Sequence, residues 1–361
     1  SSLLVIVEVA LSLILLIGGG LLGRSLLEIQ EVDPGFGTEG RLSFGVQLSG
    51  PEFPPERRLE FVRDLSVELA EIPTVTHVGA VSLIPFGGNL AWTPVIVPGY
   101  DPPDGTNGEF IASIRIVTPE YFETMGIPVL DGETFRAEYA PDEPREILID
   151  ERVAEVYFQG RDPVGSRIST LGNDSSRVAG VVGAIKHTGL DDPSRFTLYL
   201  AYSQVPTTRM AMVLETSGDP MALVGPATRA VHGLDPDVAV VDMASMEGRI
   251  SNSLAERRFL MLLLQTFSVV ALVLAAVGIF GLVSYRVSRG TRDLGMRMAL
   301  GAEASTILKM VLGHGMTLAL VGLAVGLAGA VALTGLLRGM LFGVGRTDPG
   351  TYAAMAGGLV L

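Results

Sequence analysis

The chain has no cysteine. That excludes a disulfide framework, a thiolate metal site and a cysteine nucleophile together. Its only lysines are Lys186 and Lys309, followed by His187 and Met310. A phosphate-cradling P-loop needs Gly-x4-Gly-Lys-Ser/Thr, so this chain carries no ATP-hydrolysing motif of that kind. The four histidines (His77, His187, His232, His314) are scattered, with no pair at metal-ligand spacing. Neither Gly-x-Ser-x-Gly nor His-Glu-x-x-His occurs. Asp101/Asp104 and Asp191-Asp192 match neither a catalytic carboxylate pair nor a calcium loop and read as solvated turns. The expectation is a chain without catalytic, metal or cofactor residues.

Charge is missing from long stretches. Leu3 to Gly23 is apolar except for Glu8, Phe259 to Tyr285 carries no charge, and Val311 to Leu337 has only His314. Each is long enough to cross a bilayer core of about 30 Å as a helix, which takes roughly 20 residues. A fourth apolar run starts near Thr351. The chain begins Ser1-Ser2 and ends within that run, so both ends are read as cut, and the first span as an internal helix of a longer protein rather than a signal peptide. Between the first two runs, residues 24–257 hold 18 Lys+Arg against 35 Asp+Glu. An acidic domain of this kind argues against nucleic acid as a partner.

The segment between the second and third runs holds Arg286, Arg289, Arg292, Arg297 and Lys309 against Asp293 and Glu303. Short basic loops stay in the cytoplasm, which puts the acidic domain on the opposite face. Arg257 and Arg258 dissent, being two residues against five. The organisation is therefore a transmembrane helix over 1–23, an extracytoplasmic α+β domain over 24–257, and a second membrane part over 258–361. That part has helices near 259–285, 307–337 and 351–361 and a cytoplasmic loop at 286–306.

Within the domain, Leu42, Phe44, Val46 and Leu48 alternate as a strand, and Leu59, Val62, Leu65, Leu69 and Ile72 recur at a helical period up to Pro73. Val75 to Ile84 is a second strand. The order returns later: a strand at 209–215, an Asp219-Pro220 helix start running to Val231, and a strand at 238–243. Two βαβ units (41–84 and 208–244) make a split α/β sandwich, and residues 85–207 form an inserted, β-rich lobe. Its expected strands are 110–117, 146–149, 177–182 and 197–201, with Thr118-Pro119 opening a short helix. Trp92, Tyr100, Tyr121 and Phe122 in this lobe read as core. Helical stalks are expected at both edges of the domain: one beyond Gly23 through Leu26, Ile29 and Val32, the other capped by Ser245 with Met246, Ile250 and Leu254 on one face.

Several segments, in this order, resemble MacB/FtsX-type ABC transporter permeases, in particular the duplicated branch that lacks its own ATPase. They are VALSLILLIGGGLLGRSL followed by VDPGF; VTPEYFETMGIPVLDGETF; DPVGSRI; VVGAIKHTGLDDPSRFTLYL; LVLAAVGIFGLVSYRVSRGTRDLGMRMALGA; and DPGTY. The resemblance implies four transmembrane helices per half, a porter-like external domain with an inserted lobe, and a bacterial plasma-membrane location. It also makes this chain the second half of a longer permease. Its partners would be a cytoplasmic ABC ATPase dimer, a second permease half or protomer, and a periplasmic adaptor or substrate protein.

It further makes Thr291, Arg292, Asp293, Leu294, Gly295, Met296, Arg297, Met298 and Gly301 a coupling helix against the ATPase. From the residues alone this is a short amphipathic helix: Leu294 and Met298 share a face, Asp293 and Arg297 pair at i, i+4, and Gly301 caps it. Gly19/Gly23 and Gly322/Gly326 are spaced for close helix packing or are simply membrane glycines. Glu8 is read as lying at the interface. The implied function is ATP-coupled export or extraction of a substrate. The alternatives are an FtsX-like mechanotransmitter acting on an external cell-wall hydrolase, or a receptor without an ATPase.

Overall fold

The computed structural model describes residues 2–100, 109–140, 142–170, 175–193, 195–299, 304–337, 341–345 and 347–360. It divides into a helical unit (1–32 and 254–361) and a sheet domain, 33–253. In chain order the elements are α1 (Ser2–Gln30), β1 (Arg41–Gln47), α2 (Pro55–Ala70), β2 (Val75–Val81), β3 (Trp92–Ile96), β4 (Glu109–Val117), α3 (Tyr121–Met125), β5 (Val129–Gly132), β6 (Glu146–Asp150) and α4 (Glu151–Val153). They continue with β7 (Arg167–Thr170), β8 (Ser175–Val182), β9 (Thr197–Ala201), β10 (Arg209–Thr216), α5 (Val224–Leu234), β11 (Val240–Ser245), α6 (Met246–Ser253), α7 (Ala255–Ala299), α8 (Ala304–Leu333) and α9 (Pro349–Val360).

The first four strands of the sheet run β11-β1-β10-β2, every neighbour antiparallel. This is the interleaving that two βαβ units produce when each inserts a strand into the other. α2 and α5 cover one face through Phe61, Val62, Leu65, Leu69, Ala227 and Val231, against Leu42, Phe44 and Val46 of β1 and Met210, Met212 and Leu214 of β10. Pro55 at N1 starts α2 where its missing N–H costs nothing. Asp219 Oδ1 accepts from Met221 N at 2.9 Å and opens a 3-10 turn (Pro220–Leu223) that leads into α5. The helix passes through Gly225-Pro226 and ends at Leu234 rather than Val231.

The inserted lobe holds more strands than its sequence pattern announced. β3, β5 and β7 were not expected. With β3 and β7 present, β4-β3-β7-β8-β6-β9 closes on itself, because β9 pairs in parallel with β4. Closure removes the free strand edges that an open lobe would expose. Val95, Phe110, Ala112, Ile147, Ile149, Ile168, Val178 and Leu198 fill the inside of the ring. Thr118 does not cap α3: its hydroxyl accepts from Ala80 N at 3.0 Å and so ties β2 to the start of the turn.

In the helical unit α1 runs unbroken past Gly23 to Gln30, with Leu26 and Ile29 buried. Beyond the sheet domain's last strand, Ser245 Oγ accepts from Gly248 N at 3.0 Å, the expected cap. The stalk reading of this second edge needs correction. α6 stops at Ser253 and is folded into the sheet domain: Met246 and Ile250 enter the core, and Arg249 donates to Ser43 Oγ and Asp242 Oδ2, both at 2.7 Å. Asp242 takes φ +53° to make this clasp. Three helices among the described residues are long and apolar enough to cross a membrane: Leu3–Gln30, Ala255–Arg289 and Met316–Leu333. α9 has 12 residues.

Candidate functional site

The segment expected to contact an ATPase lies at the end of α7. The helix that begins at Ala255 continues without interruption through residues 286–299. The local expectation of a loop carrying its own short helix is therefore corrected. Thr291, Arg292, Asp293, Leu294, Gly295, Met296, Arg297 and Met298 are the last turns of a 45-residue helix. No proline interrupts the passage from the apolar run into the basic stretch, so the backbone hydrogen-bond ladder carries on across the change of side chains. Met296 is exposed, and Arg289 stacks over the Tyr285 ring at 5.6 Å. Gly301, the expected cap, falls outside the described residues.

The helical unit is assembled on α1. A Cβ added at Gly322 would stand 2.8 Å from Val9 Cβ, and one at Gly326 would stand 3.0 Å from Ala10 Cα and O. These glycines let the backbones of α8 and α1 approach each other. A Cβ added at Gly19 or Gly23 would stand 3.5 Å from Gln265 Cγ or Met261 Sδ of α7. Both glycine pairs are thus at helix contacts. Glu8 is directed at α7 rather than outward: its Oε2 would be 2.8 Å from a Cβ at Gly278. Asp348 of the DPGTY segment accepts from Arg24 of α1 at 2.7 Å and from Thr351 N at 2.8 Å, capping α9.

In the sheet domain, several residues of the recognised segments serve geometry. Gly35 sits at φ +81° with its Cα against Ala184 O, which brings VDPGF onto VVGAIKHTGL. Gly132 at φ +73° does the same against Ala179. Tyr121 and Phe122 are buried, as expected of core aromatics, whereas Trp92 is exposed beneath the Arg195 guanidinium at 4.7 Å. Asp192 forms a turn in which its carbonyl accepts from Lys186 Nζ at 2.6 Å. No group of three metal-binding side chains occurs among the described residues.

Among the described residues, the titratable groups most displaced from their ordinary behaviour are internal to this domain. Burial pushes the Asp150 carboxyl up to about 7, although it accepts hydrogen bonds from Val153 N and Thr197 N. Burial, with Arg115 and Arg195 nearby, pushes His187 down to about 3. Sequence reasoning did not single out Arg115, His187 or Asp150. Arg115 falls at alternate spacing from the core residues Phe110 and Ala112, a position that reads as an ordinary solvated face of a strand.

Residues 2–231 match the MacB-like periplasmic core domain family, and residues 266–361 match the FtsX-like permease C-terminal family. Among curated proteins the chain is similar to the macrolide export ATP-binding/permease protein MacB of Acinetobacter baylyi, 25% identical over 59% of this chain and 33% of that protein. It is 27% identical to the Escherichia coli protein of that description over 60% of this chain and 34% of that one. The chain thus spans about a third of the length of these curated relatives. Among solved structures it is similar to the periplasmic region of MacB from Actinobacillus actinomycetemcomitans, with TM-score 0.39 and 17% identity over 60% of this chain and 94% of that one. The extracellular domain of the noncanonic ABC-type transporter YknZ from Gram-positive bacteria gives 0.36 and 14%, over 56% of this chain and all of that one. With the core-domain family covering more than half of its length and the permease family following in order, the chain belongs to the MacB/FtsX-type ABC transporter permeases.

Proposed function

We propose that this chain is a membrane-spanning permease of the bacterial plasma membrane. Its sheet domain is extracytoplasmic, and the last turns of α7 lie in the cytoplasm against a separate ABC ATPase dimer. ATP-driven closure of that dimer pushes on Arg292 to Met298, and the movement travels along α7 toward the sheet domain to export or extract a substrate. The observation that carries this reading is the continuity of α7, one helix from Ala255 to Ala299 that spans both the uncharged run and the basic turns. A continuous helix moves as a rod, whereas a loop would absorb the push. The positive-inside pattern supports the orientation. The pairing of a βαβ sheet with a closed strand ring in one large domain favours transport over simple switching of an external enzyme.

The test reverses the charge of Arg292 and Arg297 together to Glu. The partner ATPase, co-purified with the chain, is expected to lose its stimulation, while the complex still inserts in the membrane. Undiminished stimulation by the doubly reversed chain would refute the coupling role. Substrate release compared between a deletion strain and its complement separates export from mechanotransmission.

A further inference from the structure

Arg115 of β4 is the largest fully buried side chain among the described residues. Its Nη1 donates to the Ile114 carbonyl at 3.1 Å, while Nε and Nη2 have no hydrogen-bond partner. Among the described residues no carboxylate pairs with it, and burial pulls its guanidinium below the usual arginine range. A buried charge left without a counter-charge is strongly destabilising. Nε and Nη2 are also the two nitrogens on one edge of a guanidinium. That edge is the fork that grips two oxygens of one oxyanion.

The surroundings extend this fork into a set of polar groups. Ser113 lies two residues before Arg115 on the same strand face, and the parallel register with β9 places Thr197 beside Ser113 and Tyr199 beside Arg115. Ser113 Oγ and the Tyr199 hydroxyl are buried and, like Nε and Nη2 of Arg115, make no hydrogen bond. His187 reaches the same place through Nε2, 2.9 Å from Thr197 Oγ1. The Thr197 hydroxyl already donates to the Arg195 carbonyl at 3.0 Å, so it accepts from His187, and the imidazole proton sits on Nε2. His187 Nδ1 is then an acceptor, buried and without a donor. On the antiparallel side Ser113 pairs with Trp92, which is exposed, and Arg195 above it is half-buried. Trp92 is thus the solvent-facing strand neighbour of this buried set.

We propose that Ser113, Arg115, His187 and Tyr199 form a binding site for a single oxyanion that carries one hydrogen of its own, such as a phosphate or phosphomonoester group. Arg115 grips two oxygens through its free edge, the Ser113 and Tyr199 hydroxyls donate to the oxyanion, and the ligand's P–O–H donates to His187 Nδ1. Sulfate has the same shape and no hydrogen to give, so the site discriminates against it. This assignment rests on the sheet domain alone and is independent of how the helical unit is driven.

Trp92 is the single tryptophan of the chain and pairs with Ser113, so its emission reports occupancy. Full-length chain in detergent is titrated with inorganic phosphate, sulfate and glycerol 3-phosphate at constant ionic strength. The expected result is a saturable change with phosphate, at least tenfold weaker binding of sulfate, and at least tenfold weaker binding of phosphate in Arg115→Met. His187→Phe should erase the preference for phosphate over sulfate. Tighter binding of glycerol 3-phosphate than of phosphate assigns the site to the head group of a larger molecule, and weaker binding assigns it to the free ion. If Arg115→Met does not fold, Tyr199→Phe and Ser113→Ala decide, each expected to weaken phosphate at least threefold. No saturable response in the wild type, or unchanged titrations in the folded variants, overturns the proposal.

Discussion

Asp150 and His187 are buried at the two ends of a short chain of contacts through Thr197, and their effects on stability run in opposite directions with pH. Asp150 has its folded pKa raised from 3.8 to about 7 by burial. Its contribution is fully present below pH 3.8 and is lost as pH rises toward 7. His187 is lowered from 6.5 to about 3 by burial and by Arg115 and Arg195. Its contribution is present above pH 6.5 and is lost as pH falls toward 3. Between about pH 4 and 6.5 each slope approaches ~1.4 kcal/mol per pH unit, and the two nearly cancel. Relative to the wild type, Asp150→Asn should therefore gain stability with rising pH across that window, and His187→Gln should lose it. Melting temperatures at pH 4.5, 5.5 and 6.5, followed by Trp92 emission, check this; parallel profiles for the two variants would contradict it. Neither residue was legible beforehand. A lone histidine and a carboxylate at a strand end carry no spacing signal, and only the fold removes them from water. What was legible at this scale was punctuation: Asp219 and Ser245 cap as the sequence rules say, because capping depends on neighbours in the chain, whereas the Thr118 hydroxyl is taken by Ala80 N of β2.

Elements with a full period could be placed from the sequence. β1, α2, β2, β4, β6, β8, β9 and β10 lie within a few residues of their expected positions, since each shows an alternation or helical repeat several residues long. The three missed strands are short and lack that pattern. β3 contains Pro94, β5 has four exposed residues ending in Gly132, and β7 buries only Ile168. They exist because the ring closes, and closure is a property of pairing between distant segments. Two glycines test the packing of elements. A Cβ at Gly79 would meet Tyr121 Cα at 2.7 Å and its N at 3.0 Å, so α3 rests directly on β2. Gly79→Val should cost ~1–3 kcal/mol as overpacking against backbone, read as a lower urea midpoint. In the membrane, Gly326→Leu should loosen α8 from α1, whereas Gly281→Leu, which meets nothing within 4 Å, should be tolerated. Disulfide cross-linking between cysteines placed at Ala10 and Gly326 of the otherwise cysteine-free chain gives a baseline. Cross-linking between cysteines at the neighbouring Leu13 and Leu327 should fall in Gly326→Leu and persist in Gly281→Leu.

At the scale of the whole molecule the reading depends on which ends of the helices face the cytoplasm. α7, at ~1.5 Å per residue, extends for about 68 Å. Its uncharged run, Phe259 to Tyr285, accounts for about 40 Å of this. That exceeds a bilayer core of about 30 Å, so its basic last turns lie beyond the lipid. The positive-inside rule assigns the five basic residues from Arg286 to Lys309 to the cytoplasmic side. The sheet domain, which precedes α7 in the chain and follows α1, is then outside. The absence of cysteine turns this into a clean measurement, because a single introduced thiol is the only one present. Val67 on α2 and Met296 on α7 are both exposed. In spheroplasts a membrane-impermeant maleimide should label Val67→Cys at once and Met296→Cys only after the membrane is permeabilised. The opposite order would place the acidic domain in the cytoplasm. The last turns of α7 would then lie out of reach of any cytosolic ATPase, and the proposed path of force along that helix would have no source.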